Sequence, residues 1–230
     1  DSPMLNRIIS SNIPVVILDR GGPFQDVSLI KLDNEPAAFE ATTHLLADGH
    51  QKIGLVLGLS AVDTTSARLG GYKQALEAHN IPFNENYVIG GQSRARGGYQ
   101  SVCKLLEQGD PPTAIFTTNN KMTLGALHAF RDLGRSAPED VGLVGFDDHE
   151  WADIFTPPLT VIRQPTFEMG FEAAKKLVAQ MKAASKFIQE ELTTLTGELI
   201  VRGSCSEQCS RQFYESIQSR KAKGGVIVQN

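Results

Sequence analysis

TAIFTTNNKMTLGALHAFRDLG, from Thr113 to Gly134, contains one complete unit of the fold. Thr113–Thr117 is short, β-branched and apolar, so it reads as a strand. Polar Thr118, Asn119 and Asn120 follow. Lys121–Gly134 then has helical periodicity and stops on glycine. The same unit recurs on both sides. Upstream, Pro14–Asp19 (PVVILD) and Ile53–Gly58 (IGLVLG) are strands, and Asn34–Gly49 and Thr65–Asn80 are helices. Downstream, Val141–Phe146 (VGLVGF), Leu159–Arg163 and Glu198–Arg202 are strands, and Thr166–Met181 is a helix. A further helix, Pro3–Ser10, opens the chain. The strands are nearly continuous apolar runs, as expected when helices cover both sheet faces. Alternating strands and helices imply an α/β fold with a parallel, doubly wound sheet.

The 230 residues are enough for two lobes sharing a core. A hydrophobic content of 41% with 21% charged residues is that of an ordinary globular chain. The net charge of −4 argues against a grip on DNA phosphates by this chain alone. No apolar run approaches the roughly 18 residues that span a bilayer. Three cysteines, Cys103, Cys205 and Cys209, are too few for a disulfide framework and fit a reducing cytosol. Cys205 and Cys209 are not spaced as CxxC, and no neighbouring pair or histidine in sequence completes a metal site, so no metal is expected. The histidines at 44, 50, 79, 128 and 149 are scattered.

In open parallel sheets, ligands bind outside the carboxyl ends of the strands. Those ends carry Asp19, then Asn119 and Asn120, then Asp147 and Asp148. The strand ending at Gly58 leads into a helix bearing Arg68. Carboxylates, carboxamides and a guanidinium on one rim suit a polyhydroxylated ligand. Each also has a plain structural reading. Asp19, Asp147 and Asn119 could cap turns or helices, and Arg68 could be a solvated helix residue. Trp151 could wall the cleft or pack, and Glu190-Glu191 reads as solvated surface. No serine or cysteine nucleophile with a partnered histidine is visible, nor a phosphate-cradling glycine loop, so no catalysis and no cofactor are expected.

Several stretches together resemble the LacI/GalR family of bacterial transcription regulators, from about Leu5 to Cys205. They are IPVVILDR (Ile13–Arg20), HLLADGHQKIGLVLG (His44–Gly58) and ARLGGYKQAL (Ala67–Leu76), then PTAIFTTNNKMTLGALHAFRDLG (Pro112–Gly134), PEDVGLVGFDD (Pro138–Asp148), TPPLTVIRQP (Thr156–Pro165) and ELIVRGS (Glu198–Ser204). The resemblance implies two Rossmann-like lobes of the periplasmic-binding-protein type, with parallel sheets and three crossovers near 31–33, 162–164 and 193–197. It assigns 1–32 and 163–196 to the amino-terminal lobe, 33–162 and 197–206 to the carboxy-terminal lobe, and 207–230 to a polar tail. That tail reads as a solvated helix or an extension. By position, Asp19, Arg68, Asn119 and Asp147 fall where family members contact effector, and Thr64, Ser93 and Thr166 match cleft positions. Some sugar-binding relatives carry aromatics where Ser93 and Thr166 stand.

The family's amino-terminal helix-turn-helix has no counterpart here. Nor do roughly 50–60 residues of the amino-terminal lobe, at about 30 per βαβ unit. The implied function is effector sensing: a small polar molecule, a sugar or a nucleobase-like compound, would bind between the lobes. Operator DNA would be engaged only through the missing module, by a cytoplasmic homodimer without membrane contact. The alternatives are a sensor fused to a signalling enzyme or to a C-terminal DNA-binding module, and a periplasmic sugar-binding protein.

Overall fold

The computed structural model describes residues 3–11, 13–22, 27–182 and 191–222. Helix α1 (Pro3–Ser10) leads to strands β1 (Val16–Leu18) and β2 (Ser28–Leu32). Then come α2 (Asn34–Ala47), β3 (Ile53–Leu57), α3 (Asp63–Ala78), β4 (Val88–Gly90), α4 (Ala95–Glu107), β5 (Ala114–Thr117) and α5 (Asn120–Asp132). The chain continues through β6 (Gly142–Phe146), β7 (Thr160–Arg163), α6 (Thr166–Lys182), β8 (Leu192–Leu195), β9 (Glu198–Ile200) and α7 (Glu207–Ala222). Among the described residues no helix is long and apolar enough to cross a membrane.

The strands form two sheets, one ordered β1-β2-β8 and one ordered β4-β3-β5-β6-β7-β9. The chain passes between them at Asp33, at Gln164–Pro165 and at Thr196–Gly197. Pairing is parallel except at the edge, where β9 runs antiparallel to β7. The parallel fold expected from the sequence holds, with this one antiparallel pair at the edge. A two-residue return from β8 is far too short for a helical crossover, so β9 enters from the opposite end.

Every residue of β3, β5 and β6 is buried. Their side chains alternate between two cores. Leu55, Phe116 and Phe146 face α2 and α3, where Leu45 and Tyr72 pack. Val56, Ile115 and Leu143 face α4 and α5, where Leu105, Met122 and Phe130 pack. The small sheet has a thinner core of Ile30, Met169 and Ala173 beneath α6. Helices α2 and α3 touch backbone to backbone, for a Cβ on Gly71 would lie 2.1 Å from the Glu35 carbonyl oxygen.

Four elements are absent from the sequence reading: β2, β4, α4 and β8. Of the tail, 207–222 forms α7, whereas 223–230 and Glu190 lie outside the described residues.

Candidate ligand-binding site

Asp19 directly follows β1 and Asp147 directly follows β6, and both residues have left-handed backbones, with φ of 69° and 76°. The Asp19 N–H donates to the Ile30 carbonyl at 2.8 Å, and the Asp147 N–H to the Ile162 carbonyl at 2.9 Å. Each carboxylate is thus carried by the last residue tied to its sheet. A left-handed non-glycine residue costs about 1–2 kcal/mol, though a short polar side chain eases it. Such strain gathers at ligand sites, where the surrounding structure enforces it.

β5 runs into Asn119, the N-cap of α5, whose Oδ1 accepts the Met122 N–H at 2.8 Å. The capping role is real, and it leaves the two donors of the Asn119 amide for other partners. The Asn120 N–H donates to Asp147 Oδ2 at 3.3 Å. At the end of β3, the loop into α3 brings in Thr64 and, one turn later, Arg68, both buried.

Arg68 is held rather than solvated. Its Nε donates to Asn34 Oδ1 at 2.8 Å, Nη1 donates to the Thr118 carbonyl, and the guanidinium stacks 3.7 Å from the Phe146 ring centre. Burial pushes its pKa down to about 10, against the pull of Asp147 and Asp19, so it remains a cation at neutral pH. Nη2 donates to none of the described residues.

These groups converge. Asp19, Thr64, Arg68, Ser93, Asn119 and Asp147 line one cavity of about 220 Å³. Ser93 is also left-handed (φ 54°), and its Oγ accepts the Leu59 N–H at 3.2 Å. A Cβ on Gly58 would sit 2.8 Å from that oxygen, so a side chain there would push the Ser93 hydroxyl out of place. Thr166 is placed elsewhere. It opens α6 and lines an adjoining cavity of about 650 Å³ with Arg163 and Glu198.

Sequence reasoning missed Gln164, Arg20 and Lys121, which also line the small cavity. Gln164 borders both cavities, and its Nε2 donates to Asp147 Oδ1 at 2.5 Å. It stands just past β7, so the strand-end rule would have found it had it been applied to that strand. Trp151 lines neither cavity. It stacks on His149 (5.8 Å between ring centres) and meets Phe155 edge-on.

Residues 42–205 match the family described as periplasmic binding protein-like domain. The HTH-type transcriptional repressor PurR of Haemophilus influenzae (strain PittEE) is 33% identical over 195 residues, 84% of this chain and 58% of that protein. The repressor CytR of Escherichia coli K12 is 34% identical over 191 residues, 83% of this chain and 55% of that protein. The chain therefore spans little more than half the length of these relatives. Among solved structures, a LacI family regulator from Enterococcus faecium with bound ribose superposes with a TM-score of 0.81 at 28% identity, covering 90% of this chain and 76% of that one. The regulator CelR in complex with cellobiose also gives 0.81, at 32% identity, covering 89% and 62%. The chain belongs to the periplasmic binding protein-like domain family, in the form found in LacI-family transcription regulators.

Proposed function

We propose that this chain is the effector-sensing part of a bacterial transcription repressor and binds a single-ring, polyhydroxylated molecule between its two sheets. Each sheet with its helices would act as one lobe, 1–32 with 163–196 and 33–162 with 197–206. One observation carries the reading. A buried cationic Arg68 and two carboxylates on rigid strand ends face the same small cavity. Buried polar groups demand partners, and sugar hydroxyls both donate and accept. The volume of about 220 Å³ is below the roughly 300–1,000 Å³ of drug-sized pockets. No aromatic ring is among the described lining residues. A nucleobase would lack a stacking face there, which favours a sugar.

Asp19 belongs to the small sheet and Asp147 to the large one, so a ligand bridging them would favour the closed arrangement of the lobes. Differential affinity for that arrangement is what a DNA-binding module could read. The repressor reading places this action in the cytoplasm, with binding rather than catalysis as the task. The test is a thermal-shift screen of pentoses, hexoses, cellobiose, sugar phosphates and purines, followed by calorimetry on the hits. A pentose or hexose that stabilises the wild type and fails with Arg68→Lys supports the proposal. Purine binding alone, or sugar binding indifferent to Arg68, overturns it.

A further inference from the structure

A second cluster lies at the other end of the large sheet's strands, beside the amino-terminal ends of β3 and β6. The Ser204 carbonyl accepts the N–H of Leu143 near the start of β6, and the Cys205 carbonyl accepts from His50 Nε2 at 2.9 Å, just before β3. The loop that carries Cys205 is therefore pinned to the sheet. Cys205 and Cys209 straddle the start of α7, and both are buried free thiols. Facing them are His44, in the last turn of α2, and Asp48, the residue that ends that helix. A spacing of four along a helix puts those two side chains on one face.

The four ligand-type atoms lie within 4.8 Å of one another. His44 Nε2 is 3.1 Å from Cys205 Sγ and 3.7 Å from Cys209 Sγ. Asp48 Oδ2 is 3.2 Å from Cys209 Sγ and 3.7 Å from His44 Nε2. Around a tetrahedral zinc ion, with bonds of roughly 2.3 Å to sulfur and 2.0–2.2 Å to nitrogen and oxygen, neighbouring ligand atoms stand about 3.3–3.8 Å apart. These four separations need shifts of only a few tenths of an ångström, and the remaining pairs, within 4.8 Å, need to close by at most about 1 Å. Two thiols, an imidazole and a carboxylate form a donor set suited to a borderline-soft, tetrahedral ion rather than to magnesium or calcium.

The surroundings support such a site. Thr160 Oγ1 lies 3.4 Å from Cys205 Sγ, and Ser206 Oγ accepts the Cys209 N–H at 3.1 Å, so both cysteines have outer partners that fix them. The sequence hides all this, because His44 and Cys205 are 161 residues apart.

We propose that His44 Nε2, Asp48 Oδ2, Cys205 Sγ and Cys209 Sγ form a closed, structural site for a zinc-type divalent ion that clamps the end of α2 to the start of α7. Binding releases the remaining thiol protons to solvent. The ion would secure the C-terminal helix, at the end of the strands away from the sugar cavity, so the inference does not depend on that site.

The test uses the whole chain, reduced with a phosphine, stripped with a chelator and dialysed against zinc or cobalt(II). One equivalent of zinc should be retained by elemental analysis. Cobalt should give a thiolate charge-transfer band and the intense visible bands of a tetrahedral ion. Cys209→Ser should abolish both, and Cys103→Ser should abolish neither. If Cys209→Ser fails to fold, Asp48→Asn keeps the packing and should weaken zinc at least tenfold in competition with a chelator. Failure of the reduced protein to retain zinc, equal retention by a Cys205→Ser/Cys209→Ser variant, or weak octahedral cobalt bands would each overturn the proposal. So would a Cys205–Cys209 disulfide in unreduced protein whose reduced form holds no metal, which would assign the pair to thiol exchange.

Discussion

Asp147 and Asp148 are adjacent just past β6 and have different partners. Asp147 lines the small cavity, while Asp148 accepts from both Arg163 and Arg202, with its side chain only 9% exposed. With Asp148 engaged by the two arginines, Asp147 is the one left to face the small cavity. Asp148 is no solvent-facing bystander, as a simple capping role would have it. It ties β6 to Arg163 at the end of β7 and to Arg202 just beyond β9. The two substitutions should therefore separate. Asp147→Asn should leave the melting curve near wild type and lower sugar affinity roughly ten- to a hundred-fold, the effect of losing a charged hydrogen bond of about 1.5–3 kcal/mol. Asp148→Asn should cost about 3 kcal/mol of stability by stranding Arg202, the lower end of the range for a broken buried pair because Arg163 is partly exposed. Urea unfolding and calorimetry on both variants check this. If Asp148→Asn harms only affinity, the two roles are reversed.

The Asp148 pair should also be visible in the pH dependence. Burial alone would push this carboxyl up, but Arg202 and Arg163 outweigh it and hold the carboxyl below the usual value. A depressed folded pKa gives stability that is present above the unfolded value and lost as pH falls through the folded one. The stability gap between wild type and Asp148→Asn should be full at neutral pH and shrink below about pH 4, near the ordinary aspartate value. A gap that stays constant down to pH 3 would mean that the ion pairs contribute nothing.

The order of the central βα units and the two strand-end aspartates are legible in the sequence, resting on buried apolar runs and polar residues directly after them, whereas the division into two sheets comes from the family resemblance. What escapes has weak local signals. In β2, Lys31 interrupts the apolar run of Ser28–Leu32. β4 and β8 are short, with no fully buried residue. Gly97 and Gly98 near the start of α4 look like a break, and a tertiary contact with α5 overrides them. Asn34 is the extreme case. It looks like an ordinary helix start, yet it is buried and holds Arg68, a partner 34 residues away. Thr166, assigned by family position alone, opens onto the neighbouring cavity instead.

Arg68→Lys should weaken sugar binding at least tenfold although charge is retained. A lysine ammonium cannot keep the bonds to Asn34 and Thr118, stack on Phe146 and still present a planar pair of donors to the cavity. Because Asn34 Oδ1 would lose its buried donor, the melting temperature should fall as well. Affinity unchanged in titration calorimetry would reduce Arg68 to a packing residue.

Hydrogen exchange should divide the two sheets. The large sheet is covered on both faces by extensive cores, whereas among the described residues β1 and β2 rest mainly on a small cluster of Ile30, Met169 and Ala173, with Val16 and Leu195 partly buried against it. Local opening follows the amount of buried apolar contact. Amides of Val16–Leu18 should exchange much faster than those of Gly142–Phe146, and a bound sugar should slow the former through Asp19. Equal protection in the two strands, with or without sugar, would sink the idea.

Gly70 and Gly71 are neighbours in the middle of α3, and alanine should act in opposite directions at the two positions. Within a helix, alanine is favoured over glycine by about 1 kcal/mol. At Gly70 the nearest atom to a new Cβ is Glu35 Oε1 at 3.3 Å, the end of a flexible side chain that can move aside. Gly70→Ala should therefore raise stability by about 0.5–1 kcal/mol. At Gly71 the new carbon would lie 2.1 Å from the Glu35 carbonyl oxygen and 2.7 Å from the Phe39 amide nitrogen. Those are backbone atoms of α2, so the helices themselves must separate. The cost should exceed the propensity gain and leave a net loss of about 1–3 kcal/mol or more. The displacement would also reach the ligand cavity. Asn34 is the first residue of α2, beside Glu35, and its Oδ1 receives the Arg68 Nε. Gly71→Ala should thus lower sugar affinity as well, whereas Gly70→Ala should leave it unchanged. Thermal melts and calorimetry on the pair decide the matter, and a stabilised Gly71→Ala would show that α2 and α3 do not pack this closely.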